Sequence, residues 1–356
     1  MGGPAGASSS FSGLRCRNAN EDWMSELCPR LWDVPLHHLS IPGSHDTMTY
    51  CLNKKSPISQ EESRVLRLLN KAFPCITRPV VLKWSVTQVL DVTEQLDTGV
   101  RYLDLRIAHM LDGSEKNLHF VHMVYTTALV EDTLTEISEW LEQHPHEVVI
   151  LACRNFEGLT EDLHEYLISC IKTIFGDMLC PRGVSDEGGG RPQVSPRARR
   201  SSPSPCICLR GTLGVAAAVT PAAGGVLNNS RSQPSCRPTW SWGWLLVRMA
   251  ARDGFRELHT RAGRGGSCLR LHLLTVPGGL FVAGINLTEN LQYILAHPSE
   301  SLEKMTLPNL PRLRAWVREQ CPGPGSRCTN VIAGDFVGED SFVSDVIALN
   351  QKLLWC

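Results

Sequence analysis

Short apolar runs alternate with longer amphipathic stretches from residue 21 to residue 183. The run at 36–42 predicts a strand that ends at SIPGSHDT, and polar and helical stretches follow, with a helix over 86–96. Strands are predicted at 101–107 and at 118–122. The stretch TALVEDTLTEISEWLEQ sets Val130, Leu134, Ile137, Trp140 and Leu141 on one face, which predicts a helix over 129–143. The turn HPHE then leads into the strand VVILAC, and residues 160–175 form a second amphipathic helix. Strands alternating with helices at this spacing predict parallel βα units.

Between 184 and 275 the pattern is lost. These residues contain thirteen Arg and no Lys, with twelve Gly, ten Ser and seven Pro. Segments of that composition bury too little apolar surface to offset their chain entropy. The block reads as arbitrary translation of GC-rich sequence in place of a normal stretch of barrel, or as an Arg-rich regulatory loop. Patterning resumes at 277: PGGLFVAGINLT is a strand, LTENLQYILAHP and PNLPRLRAWVREQC are helices, TNVIAGDFVG is a strand and SFVSDVIALNQKLL a closing helix. Without the block, 264 of the 356 residues remain, close to the ~250 of one (β/α)₈ barrel. The expected fold is therefore α/β, a TIM-like (β/α)₈ barrel left incomplete or distorted because 184–275 does not read as barrel strands. Residues 1–20 read as a disordered lead-in and 21–356 as one interrupted barrel domain.

Composition narrows the function. A net charge of −1 and a pI near 6.9 give no global field towards nucleic acid or an anionic membrane, so any phosphate preference must be local. The small, polar N-terminus has no signal-like apolar segment, and no apolar run approaches the ~20 residues of a membrane span. Fourteen cysteines in that setting read as reduced thiols of a cytoplasmic protein. Cys206-x-Cys208 lacks a partner pair at zinc spacing. Gly6 stands where a myristoylation signal beginning at Gly2 wants Ser or Thr.

Five predicted strands end in a polar residue suited to chemistry, and a barrel gathers such ends at one face. His45 follows the Pro-Gly turn of SIPGSHDT, with Asp46 beside it to orient a ring or a guanidinium; a loop histidine without a role is the plain alternative. RYLDLR puts Tyr102, Asp104 and Arg106 on one side of a strand, either as an internal salt bridge or with Arg106 presented to a phosphate. His119 and His122 are three apart and point to opposite faces; His122 is nearer the strand end, and His119 reads as structural. Arg154 closes VVILACR as a second anion contact or a partner of Glu157. Asp335 ends NVIAGD, and in a closed barrel the last strand lies beside the first, near His45. Lys83 and Trp84 are candidates for a phosphate or head-group contact.

In this order, SIPGSHDT, GVRYLDLRIA, LHFVHMVY, EVVILACRNFE and NVIAGDFVG resemble the catalytic X-domain of phosphatidylinositol-specific phospholipase C, above all the small proteins built from that domain alone. The resemblance covers about 21–183 and 276–356. It implies a phosphoinositide lipid substrate, peripheral membrane contact and cleavage to diacylglycerol and a cyclic or hydrolysed inositol phosphate. By resemblance His45 is the general base, His122 the general acid, Arg106 the stabiliser of the transition state, Asp335 the carboxylate orienting the base, and Asp46 the one tuning acid and arginine. Arg154, Lys83 and Asp104 are the expected substrate contacts. Arg106 and Arg154 stand where the animal signalling branch holds Ca²⁺ with carboxylates, so a metal-independent, bacterial-type layout with no cofactor is expected. The odd block replaces strands that supply the inositol-binding wall, which predicts weakened or lost activity. Two rivals are a non-catalytic partner-binding protein and a glycerophosphodiester phosphodiesterase, which would need a carboxylate metal cluster where Arg106 stands.

Overall fold

Alternation along β5 (Val148–Glu157) sets the layers of the molecule. Val149, Leu151 and Cys153 face one way and Val148, Ile150 and Ala152 the other, and all six are buried. The first set packs with Leu134, Ile137, Leu167 and Val317 of the surrounding helices. The second joins Ile41, Tyr102, Val331 and Ala333 in an inner core. Burial on both faces is what a central parallel strand requires, and the unbroken VVILAC run satisfies it.

A computed structural model describes residues 20–110, 117–180, 206–210, 280–287, 291–325 and 328–355. Besides β5 it contains β1 (Ile41–Ser44), β2 (Tyr102–His109), β3 (Leu118–His122), β4 (Val124–Leu129), β6 (Cys206–Arg210), β7 (Val282–Gly284) and β8 (Val331–Gly334). Six of them run parallel in the order β6–β5–β2–β1–β8–β7. The helices α1 (Arg64–Ala72), α2 (Pro74–Ser85), α3 (Val92–Asp97), α4 (Val130–Gln143), α5 (Glu161–Phe175), α6 (Leu291–Ala296), α7 (Leu302–Thr306), α8 (Leu310–Glu319) and α9 (Phe342–Ala348) complete the order. Among the described residues β6 and β7 are not joined, so the sheet is an open part of a barrel. In sequence these two strands flank 211–279, which lies outside the described residues. Gly43 lets β1 pass the inner core, since a Cβ there would lie 3.0 Å from the Tyr102 ring and 3.2 Å from the Ala333 methyl.

Four expectations are corrected. Within 184–275, CICLR forms β6 and pairs in parallel with Val148–Ala152; the open edge of β5 supplies the partner that local composition concealed. LHFVH is not a barrel strand: β3 and β4 form an antiparallel hairpin on the end of β2, turning through Met123 at φ 60°. The helix expected over 86–96 is only α3, which starts at a capping box of Asp91 and Glu94 and leaves 86–90 extended. The run 36–42 is a 3₁₀ turn at Leu36–His38 followed by β1. The lead-in 1–19 and Gly2 lie outside the described residues, and Cys206-x-Cys208 falls on β6.

Below the inner core a buried ion pair ties the segment at Met24 and Ser25 to the barrel. Arg101 and Glu147 are both fully buried, 2.8 Å apart. Arg101 also donates to the carbonyls of Leu96 and Val100 and lies over the Trp140 ring, while Glu147 accepts from the amides of Met24 and Ser25. Removing one partner strands the other charge in the interior. Glu147→Ala is expected to lower the unfolding free energy by about 3–5 kcal/mol in urea titration; a loss under ~1 kcal/mol would mean the pair adds nothing to stability.

Candidate active site

Register brings the polar strand ends together. Past the inner core, the even-numbered positions of β2 and β5 become Asp104, Arg106 and Arg154, with Arg106 opposite Arg154 in the parallel pairing. Two facing guanidiniums would repel, and Asp104 lies between them. It accepts a two-point hydrogen bond from Arg154 and sits 3.9 Å from Arg106 Nη2. On the other side, Ser44 of β1 pairs with Gly334 of β8, so the next residues, His45 and Asp335, emerge as neighbours.

His45 Nδ1 lies 2.8 Å from Asp335 Oδ1, and its Nε2 lies 3.0 Å from Arg106 Nη2. Guanidinium nitrogens only donate, so in this arrangement Nε2 is the acceptor and Nδ1–H donates to Asp335. His122 Nδ1 donates to the Ser85 carbonyl at 2.7 Å, which leaves Nε2 facing Asp46 Oδ2 at 3.3 Å. The same Asp46 oxygen is 3.3 Å from His45 Nε2, and Asp46 is also paired with Arg106. The ring centroids are 6.3 Å apart and nearly perpendicular. Asp46 adopts a left-handed backbone at φ 45°, which Asp tolerates better than most residues, and its amide donates to Asp104 Oδ2.

Burial would lower both imidazoles, but the outcomes differ. At His45 burial is outweighed by the carboxylates of Asp46 and Asp335, and its proton affinity rises. At His122 burial outweighs Asp46, and its affinity falls. Both nitrogens of His122 face acceptors, an arrangement suited to imidazolium. The bonds thus fix where its proton sits, and burial sets how readily it leaves. Asp46 is buried too, yet Arg106, His122 and His45 hold its carboxyl well below the usual range. Burial pushes the Asp335 carboxyl up although His45 opposes this, and its Oδ2 has no hydrogen-bond partner.

The extended segment 86–90 is a strap that sequence reasoning missed. Gln88, fully buried, donates through Nε2 to the carbonyls of His45 and Gly334 and accepts at Oε1 from the Val337 amide. Thr87 donates to the His45 carbonyl, and its own carbonyl accepts from the Phe336 amide. The strap thereby ties down the His45 carbonyl and the backbone on either side of Asp335. The only sequence signal was a Thr-Gln pair inside an apolar stretch.

The structure brings His45, Asp46, Arg106, His122 and Asp335 together with Asp104 and Arg154, and separates others from them. Asp104 is buried and engaged by Arg154, so it positions that guanidinium and does not face a substrate. Arg154 pairs with Asp104 instead of Glu157, whose carboxylate is taken by Ser59, Gln60 and Tyr125. Its side chain remains 37% exposed. Lys83 is exposed in the last turn of α2, outside the bonded cluster, and Trp84 is buried against Ile294, Leu302 and Phe336. His119 is buried away from the cluster. His45, Asp46 and Asp104 offer ligand atoms within 4.8 Å of one another. Both carboxylates are already paired with guanidiniums, so this donor set does not fit a hard dication such as Ca²⁺.

Comparison with known proteins places the chain in a family and a fold. Residues 80–169 match the PI-PLC X family (PI-PLC X 1). The human PI-PLC X domain-containing protein 1 is 71% identical over 356 residues, covering 100% of both chains, and the mouse protein of that name is 56% identical over 94% of this chain and 87% of its own. The fold is similar to the phosphatidylinositol-specific phospholipase C of Listeria monocytogenes, with TM-score 0.51 and 18% identity over 93% of this chain and 98% of that one.

The two rings should titrate in a fixed order. In a histidine NMR titration, His45 is expected to take up its proton at higher pH than His122. Asp335→Asn removes an anion that raises His45, so the His45 midpoint should fall while that of His122 changes little; an unchanged His45 midpoint would contradict the assigned contact. Gln88→Ala breaks three buried hydrogen bonds and is expected to cost about 1–3 kcal/mol in thermal unfolding.

Proposed function

This chain belongs to the PI-PLC X domain-containing proteins, and from that footing we propose that it cleaves the phosphodiester of phosphatidylinositol-type lipids at the cytosolic face of a membrane. The observation that carries the reading is a pair of imidazoles whose Nε2 atoms both face Asp46 Oδ2 at 3.3 Å, with Arg106 against His45 Nε2. Acid, base and cation lie within reach of one phosphate group. Fold likeness to phospholipases C makes the inositol lipid the first substrate to test.

In the proposed reaction His45 Nε2 removes the proton from the inositol 2-hydroxyl, and that oxygen attacks phosphorus. The new P–O bond closes a five-membered ring while the bond to the diacylglycerol oxygen breaks. His122 Nε2–H protonates that departing oxygen, giving diacylglycerol and cyclic inositol phosphate. Arg106 meets the charge that accumulates on the non-bridging oxygens, and Arg154, partly exposed at the rim, supplies a second positive centre. Asp335 keeps His45 in the tautomer whose Nε2 carries no proton. The stronger base is thus set to accept the proton and the stronger acid to give one. The guanidiniums against both carboxylates disfavour the metal cluster of a glycerophosphodiester phosphodiesterase.

Release of water-soluble inositol phosphate from phosphatidylinositol in EDTA tests the reading. His45→Ala and His122→Ala should each lose about 10²–10⁴-fold in rate; folded protein with no turnover would favour the partner-binding alternative. The pH profile carries a sign. Catalysis needs His45 neutral and His122 protonated, the reverse of their order of proton affinity, so kcat/KM follows a plateau whose acid edge lies at the His122 midpoint and whose alkaline edge lies at the raised His45 midpoint. Asp335→Asn should therefore move the alkaline limb to lower pH, and movement of the acid limb alone would refute this order.

A further inference from the structure

We propose that the α1–α2 hairpin is the surface by which this protein docks on an anionic phospholipid bilayer. On α1, Val65, Leu68 and Ala72 recur at i, i+3 and i+7 and are exposed, and only Leu66 of that helix is buried. Phe73 between the helices and Ile76 in the first turn of α2 continue the apolar surface. Val65, Leu68, Phe73 and Ile76 are 55%, 66%, 59% and 69% exposed. Four large apolar side chains exposed together on one hairpin mark an interaction surface, because single exposed apolar residues are ordinary and clusters are not. On α2, Ile76, Pro79 and Lys83 also recur at i, i+3 and i+7, so one stripe runs from apolar to basic.

Charge selects the partner. Residues 54–83 contain seven Lys or Arg and two Glu, on a chain whose net charge is −1. Arg64, Arg67, Lys71 and Lys83 are exposed beside the apolar positions. Apolar side chains flanked by cations suit the acyl and head-group zones of an anionic bilayer, where insertion and attraction add. A second copy of the chain would bring the same positive patch against this one, and the two would repel. Position argues the same way. The last residue of α2, Ser85, holds His122 through its carbonyl, so a docked hairpin would lie beside the entrance to the site. Lys83, set apart from the bonded cluster, belongs to this surface.

The choice of ligand rests on the lipid-substrate reading, but docking is read without turnover. The full chain is sedimented with sucrose-loaded phosphatidylcholine vesicles with and without phosphatidylserine. Binding is expected to need the anionic lipid and to weaken with salt. Leu68→Asp and Ile76→Asp should each reduce partitioning about ten-fold, and Arg67→Glu with Lys71→Glu should reduce it further. All four positions are exposed, so circular dichroism should remain that of the parent chain, and turnover of a short-chain monomeric inositol lipid should be unchanged. The His45→Ala, His122→Ala double variant should bind vesicles like the parent, which separates docking from catalysis. Equal binding to neutral vesicles, undiminished binding of Leu68→Asp and Ile76→Asp, or a dimer in solution that these variants dissociate would each overturn the proposal.

Discussion

Placing two imidazoles and two guanidiniums in one hollow is the constraint on which the site depends. Three buried carboxylates answer it. Asp104 lies between Arg154 and Arg106, Asp46 between Arg106 and both rings, and Asp335 behind His45. With both rings neutral these groups leave one formal negative charge, and one ring proton cancels it. An arriving phosphodiester anion adds negative charge to the hollow and so favours a proton on the rings.

That arrangement is demanding because each carboxylate is held by more than one neighbour. Asp46 is fixed by a left-handed backbone and its bond to Asp104, and Asp335 by the strap that Gln88 and Thr87 draw across β1 and β8. Buried polar groups held on several sides are costly to misplace, which makes the geometry stiff in the absence of substrate. The barrel provides stiffness from below. Its inner layer of Ile41, Tyr102, Ile150 and Val331 closes the floor of the site, and Arg101 and Glu147 anchor Met24 and Ser25 beneath it.

The outer parts differ in character. The β3–β4 hairpin brings His122 over the mouth from outside the parallel set, and α2 steadies that ring through a single backbone carbonyl. The acid is therefore positioned by elements less deeply embedded than those that hold the base. His45 rests on two central strands, and His122 on a hairpin and a helix end.

Much of this was legible in the sequence because strand alternation is local. The period-2 pattern of RYLDLR puts Asp104 and Arg106 on one side, and the placement of Asp335 beside His45 follows once the first and last strands are neighbours. What the sequence concealed depends on contacts distant along the chain. Asp104 looked like a substrate contact until Arg154, fifty positions on, was seen to engage it. Thr87 and Gln88 read as part of a helix until the open ends of β1 and β8 offered them better hydrogen bonds, and CICLR was hidden in a block of uniform composition until β5 offered an edge. Local periodicity, a property of neighbouring residues, determined which side chains share a face. Only the tertiary structure decided which charges meet, because pairing depends on register between strands that the chain itself sets far apart.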